Sequence, residues 1–293
     1  MIEGQVEYYG MEDREYPERL KSLARMPVGV YVKGRLPLED RPTVAIAGAR
    51  MCSAYGRQQA FTYAKTLAEY GVQIISGLAY GIDASAHEGA LAGGGKTYAV
   101  LGCGVDICYP KENYPLYRNM LIKGGGVVSE FPLGSAPESW HFPVRNRIIS
   151  GLSDVVLIVE AKERSGSLIT ADYALEQGKA VFALPGRVGD ELSRGCNYLL
   201  YQGAGVAYQP ECILHELGIS TSPPHTVKLE KDKNNFSKEM KQVYQCLEIL
   251  PKSLGELREE TGLIMPILSK ILLNLQAEGY VEESYRNYWR KFV

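Results

Sequence analysis

The chain has 293 residues, 45% of them hydrophobic and 23% charged, with 31 glycines. This excludes collagen-like and wholly disordered chains, and the length calls for two domains or one large domain with an appendage. Thirty-two basic against 34 acidic side chains give a net charge of −2, which argues against coating nucleic acid or membrane through bulk positive charge but leaves room for a local basic site. The six cysteines (Cys52, Cys103, Cys108, Cys196, Cys212, Cys246) include no C-x-x-C pair. No signal segment opens the chain, and no apolar run approaches the roughly 18 residues that span a bilayer. A cytoplasmic protein with reduced thiols and no metal centre is expected.

Residues 1–40 are read as a short N-terminal segment. From 41 to 218, short apolar runs at 43–47, 72–76, 97–101, 127–129, 154–160 and 180–184, with a weaker one near Val206, read as strands. Between them, 55–69, 83–92, 114–123, 145–152, 167–177 and 196–202 read as helices. Strands that are apolar throughout and separated by helices predict a mostly parallel sheet covered on both faces, a Rossmann-like, doubly wound α/β domain. Ligands of such sheets bind outside the carboxyl ends of the strands. Residues 219–236 contain Pro-Pro, Ser/Thr and alternating charge, and read as a linker. In 237–293, Ser253 and Glu256 form a capping box that opens a helix ending at Gly262, and 263–278 continues as a second helix ended by Gly279. A hairpin turning at Tyr285-Arg286-Asn287 completes a small winged helix.

Placed on the predicted sheet, the cations gather. Arg50 follows the first strand, Lys111 the third, Arg145 and Arg147 the fourth, Arg164 the fifth, and Arg187 and Arg194 the sixth. These loops are read as poor in carboxylates, with acids such as Glu69, Glu88 and Glu176 on helices. The loops are also glycine-rich: Gly48-Ala49-Arg50, Gly77 to Gly81, Gly102-Cys103-Gly104 and Ser165-Gly166-Ser167 each offer backbone N–H groups to an oxyanion. Neither G-x-G-x-x-G with a ribose carboxylate nor a P-loop is present, so dinucleotide oxidation and P-loop hydrolysis lose support, and no cofactor is expected. The four histidines are scattered, and His87 reads as structural. No pair of groups suits general acid–base work, which leaves a site for phosphates with aromatic and arginine neighbours. Trp140, Phe142 and Tyr109 lie among the same cations, which suits either bases stacked on aromatics or, for Phe142, a core plug.

The stretches VAIAGARMCSAYG (44–56), ISGLAYGIDASAHEGAL (75–91), YAVLGCGVDICYPKEN (98–113), SEFPLG (129–134), HFPVRNRIISGLSDVVLIVEA (141–161), RSGSLITADYALEQGKAVFALPG (164–186) and GCNYLLYQGA (195–204) closely resemble the DprA/Smf family of DNA-processing proteins. The resemblance implies a homodimeric protein of natural transformation that binds and protects single-stranded DNA and promotes RecA loading onto it. It assigns DNA contact to Gly48, Arg50 and Ser53, to Lys111, to Phe142, Arg145, Asn146 and Arg147, and to Ser165, Gly166 and Ser167. For Arg147, pairing with Glu130 or Glu160 is an equal alternative. Many family members begin with a helical domain, and 15–34 resembles only its end, so that domain is expected to be absent or reduced. The second helix of the winged helix offers Lys270 as its sole cation, which favours protein contact or autoregulation over groove reading for 237–293. An alternative reading, a nucleotide phosphoribohydrolase, follows from the order of glycine loops and SGSLITADYALEQ, with Asp172 or Glu176 as its acid.

Overall fold

The computed structural model describes residues 5–220, 236–248, 251–277, 280–285 and 287–291. It divides into two compact units, Met1–Thr221 and Ser222–Val293. Most of the predicted linker, and the hairpin residue Arg286, lie outside the described residues, as does the end of the second helix at Glu278 and Gly279.

In chain order the first unit contains β1 (Val6–Gly10), α1 (Glu18–Lys21), β2 (Gly29–Gly34), β3 (Thr43–Ala47), α2 (Ala54–Glu69), β4 (Gln73–Ser76) and α3 (Ile82–Ala92). There follow β5 (Thr97–Val100), α4 (Tyr114–Ile122), β6 (Gly126–Ser129), α5 (His141–Gly151), β7 (Val155–Ile158), α6 (Gly166–Glu176), β8 (Ala180–Ala183), α7 (Arg194–Tyr201), β9 (Gly205–Val206) and α8 (Glu211–Glu216). The strands form one nine-stranded sheet in the order β1-β2-β6-β5-β4-β3-β7-β8-β9. From β6 to β9 every neighbouring pair is parallel. Central strands are buried on both sides because successive side chains alternate faces. Ala45, Ala47, Val156 and Ile158 enter one core with Ile148 and Ile149 of α5 and Leu152 just after it. Val44, Ile46, Val155 and Leu157 enter the opposite core with Ala60, Ala64 and Leu67 of α2. The predicted Rossmann-like, mostly parallel sheet is the observed one.

Two expectations are corrected. The first forty residues contribute structure to the sheet: β2 pairs antiparallel with β6, and β1 with β2. Arg19 fastens this segment beneath the sheet, donating to Leu152 O at 3.1 Å and to Asp154 Oδ2 at 3.1 Å. Helix α5 also begins four residues before the expected 145. Pro143 is its third residue, where a missing N–H goes unneeded because the first-turn donors have no partner within the helix.

Helices α2 and α3 approach through small residues. A Cβ on Gly89 would stand 2.2 Å from Phe61 O, so the helices must separate to admit one. Gly89→Ala is expected to destabilise the fold by about 1–3 kcal/mol through overpacking, against a gain of up to ~1 kcal/mol in helix propensity. Chemical denaturation checks the sign.

The second unit contains α9 (Lys238–Cys246), β10 (Lys252–Ser253), α10 (Leu254–Thr261), α11 (Met265–Ala277), β11 (Val281–Tyr285) and β12 (Tyr288–Lys291). Its three strands pair in the order β10-β12-β11, the element order of a winged helix. Ser253 and Glu256 form the predicted capping box, and Gly262 closes α10 at φ +66°. The core gathers Val243, Leu257, Leu268, Leu272, Leu275 and Trp289. Among the exposed residues of this unit are Ile264, Met265, Ile267 and Leu273.

Candidate nucleic-acid interface

The chain leaves β3 toward β4 on one side and later returns to β7 on the other, so β3 and β7 flank the topological switch point of the sheet. Their carboxyl ends are joined by Val159 N donating to Ala47 O and Ala49 N donating to Glu160 O. Ser53 caps α2, its Oγ accepting from Gly56 N at 2.9 Å. Its own N–H donates to Glu160 Oε2 at 2.8 Å, and its hydroxyl donates to Glu160 Oε1. A Cβ on Gly56 would meet the same carboxylate at 2.3 Å. The N-terminus of α2, where a phosphate is naturally received, is thus filled by an internal anion, and Ser53 spends its polar groups on Glu160.

Arg50 stands clear of this arrangement. A Cβ on Gly48 would collide with Ile82 at 2.6 Å, and Gly81, at φ +76°, leaves no room for one against Ala49 O and Arg50 O at 2.5 Å. These two glycines let the loop after β3 seat directly on the start of α3. The exposed Arg50 then places its guanidinium 4.9 Å from the Phe142 ring centroid. Phe142, on the first turn of α5, is half-buried and lies against Gly102, where a Cβ would meet it at 3.0 Å. It faces Tyr109 with ring centroids 5.7 Å apart. Two residues beyond Tyr109, Lys111 opens a single 3-10 turn (Lys111–Asn113) with its side chain exposed. That turn is anchored by Asn113 Nδ2 donating to Leu78 O at 2.8 Å, and by a Tyr80–Glu112 hydrogen bond. Three loops and a helix thus converge on a half-exposed aromatic pair beside two exposed cations.

The polar residues of the F-P-x-R-N-R motif, Arg145 to Arg147, are buried, because α5 is covered all round from Arg145 to Gly151. Arg145 is 5% exposed. It donates to Gly77 O at 2.9 Å, to Val100 O, and to Asn146 Oδ1 at 3.0 Å. Burial pulls its guanidinium down to about 10, against the opposing pull of nearby Asp83. Asp83 is buried too and accepts from Gly77 N and Ala79 N at 3.1 and 3.3 Å. Burial raises its carboxyl, and Arg145 acts in the other direction. Arg147 pairs with Glu130 at 2.5 Å and donates through Nε to Arg25 O at 2.8 Å, the structural alternative open in the sequence. Asn146 Nδ2 donates to Gly166 O at 3.1 Å. The sequence-based assignment of Arg145, Asn146 and Arg147 to direct contact is therefore at odds with their positions: their polar atoms are engaged within the protein. At the start of α6, Ser165 Oγ and Ser167 Oγ lie 2.7 Å apart, Ser167 is buried, and Gly166 is exposed with open space around it.

The loops also hold more carboxylates than expected. Most are turned onto neighbouring donors: Asp106 accepts from Gly134 N at 3.0 Å, Glu138 from Trp140 Nε1 at 2.6 Å, Glu112 from Tyr80, Glu130 from Arg147 and Glu160 from Ser53. The cations differ. None of the ion pairs among the described residues involves Arg50, Lys111, Arg164, Arg187 or Arg194. Burial pushes the thiols of Cys103 and Cys108 up to about 11, which keeps them protonated and poor nucleophiles at neutral pH.

Residues 7–218 match the family model of DNA recombination-mediator protein A. The chain belongs to the DprA/Smf family. It is 39% identical to protein Smf of Escherichia coli over 91% of this chain and 72% of that one. With DNA processing protein DprA of Streptococcus pneumoniae it shares 43% identity over 71% and 73% of the two chains. The crystal structure of that DprA superposes with a TM-score of 0.68, covering 72% of this chain and 74% of that one at 42% identity. DNA processing protein A of Helicobacter pylori, whose structure concerns a single-stranded DNA binding mode, superposes with a TM-score of 0.65 at 32% identity, covering 74% and 97%. Among the described residues no helix is long and apolar enough to cross a membrane.

Proposed function

We propose that this chain binds single-stranded DNA at the carboxyl edge of its sheet, protects it, and hands it to the RecA recombinase during transformation or recombination. The observation that carries the proposal is the meeting of Arg50, Tyr109 and Phe142 beside Lys111. Aromatic faces take bases of any sequence, and flanking cations take phosphates. The single-strand binding mode described for the H. pylori protein and the recombination-mediator description of the family support the same reading. Gly166 and Ser165 extend the site along the start of α6. Asp172 and Glu176, the acids a phosphoribohydrolase would need, are exposed on α6; we read the chain as a binding protein and not as an enzyme. A second copy is the partner we assign to the open edge at β9, where Val206 is exposed with Tyr201 and Tyr208 nearby in sequence. The apolar exposed residues at α11 suit a protein contact.

Arg50→Ala with Lys111→Ala is expected to lower affinity for a labelled oligothymidylate about a hundredfold or more. It should also make the log–log salt dependence shallower by about 0.7 per cation removed. Fluorescence anisotropy over a salt series measures both. Full binding by the folded double variant would remove the site from this edge.

A further inference from the structure

We propose that the groove between the end of β6 and the start of α5 is a second base-stacking subsite for single-stranded nucleic acid, with Trp140 as its platform. The inference rests on the single-strand reading above and extends the path of the strand. The groove encloses about 310 Å³, and Phe131, Trp140, Tyr173 and Arg25 line it together with the Glu130–Arg147 pair.

Trp140 is 57% exposed, yet it is fixed in place. Its Nε1 donates to Glu138 at 2.6 Å. Its ring meets Phe131 edge-on at 6.0 Å and His141 at 4.1 Å, while Phe131 and His141 stack at 3.7 Å. The buried His141 is locked in turn through Nδ1 on Gly102 O at 2.9 Å. An indole fastened by its edges with its body in water is a preorganised surface for another flat ring, which has little further ordering entropy to lose.

Charge and continuity select a nucleobase over an apolar peptide. Arg25 is exposed and enters no ion pair among the described residues, so it is available to a phosphate. Trp140 and Phe142 are two residues apart, at most ~7 Å along the chain. The residue between them holds Gly102, the same residue against which Phe142 rests. A strand stacked at Phe142, on the first turn of α5, therefore has Trp140 within reach at the residue that precedes the helix.

Trp289→Phe leaves Trp140 as the single tryptophan, since the chain has two. In that background an oligothymidylate is expected to quench Trp140 emission, and an abasic oligonucleotide of equal length is not. Trp140→Ala should weaken oligothymidylate binding about tenfold, and Trp140→Phe should restore most of it. Unchanged affinity of folded Trp140→Ala, or equal quenching by the abasic strand, overturns the subsite while leaving the Arg50–Lys111 result standing. Emission that shifts with protein concentration and not with DNA would assign the groove to protein contact and equally overturn it. If the unaltered protein binds no oligonucleotide, the single-strand reading fails first and the subsite falls with it.

Discussion

Arg145→Ala is expected to destabilise the first unit by about 3–5 kcal/mol, the cost of leaving buried charge and polar groups without a partner. The guanidinium fills the space against Gly77, where a Cβ would come within 2.1 Å of Nη2, and it satisfies Gly77 O and Val100 O. Removing it also leaves the Asp83 carboxylate buried without its nearby cation. Urea denaturation followed by Trp140 emission in the Trp289→Phe background reports on the first unit alone, which avoids treating two units as one transition. Arg145→Met with Asp83→Leu should lose less than the sum of the single changes, because the pair couples. A loss below about 1 kcal/mol for Arg145→Ala would mean that the guanidinium is dispensable to the fold. In that case its retention would have to be explained by a ligand.

That Arg145 supports the site from beneath was not legible in the sequence, and the reason is geometric. Residue type shows that a motif is rich in cations, but what packs against a helix decides how much of it is covered, and α5 is buried all round from Arg145 to Gly151. The pattern starts the helix at Arg145, directly after a loop rich in cations, and leaves pairing with a carboxylate open only for Arg147. The same limit applied to the acids. That Ser53 holds Glu160 has no sequence signal, whereas the pairing of Arg147 with Glu130 was one of the alternatives the sequence left open. The parallel strands were legible because burial on both faces makes them nearly continuous apolar runs, broken only by residues such as Thr43, Gln73 and Thr97. Strand β1 was not, since an edge strand carrying exposed Glu7 and Tyr8 has neither a continuous apolar run nor a regular alternation. Helix α9 went unassigned because Val243 is its one fully buried residue. Arg50 and Lys111 were legible as exposed cations because turns at strand ends mark where a doubly wound sheet leaves its loops open. The structure adds that Arg50 and Phe142 are in contact.

Acid is expected to weaken the first unit through His87, more steeply than its surface carboxylates alone would. Thr97 Oγ1 donates its hydrogen to Ile74 O at 2.9 Å, so the 2.6 Å contact with His87 Nδ1 requires the ring to donate from Nδ1. Nε2 is then a bare lone pair, buried and without a hydrogen-bond partner among the described residues. Burial is the main cause that brings this imidazole down to about 3, and the charge of Arg145 adds to it. In the unfolded chain the ring titrates near 6.5. The unfolded state therefore takes up a proton that the folded state refuses, and stability falls as pH drops below 6.5, by about 1.4 kcal/mol per unit, until the folded value is reached. Between pH 6.5 and 4.5 the loss from this one group is expected to be about 2–3 kcal/mol. His87→Gln keeps a donor for Thr97 but does not titrate, so its stability should be flatter over that interval even if it is lower at pH 7. Denaturation midpoints of the two proteins at pH 7, 5.5 and 4.5 measure the difference. Parallel curves would show that His87 is protonated in the folded state and that a counter-charge or water reaches Nε2.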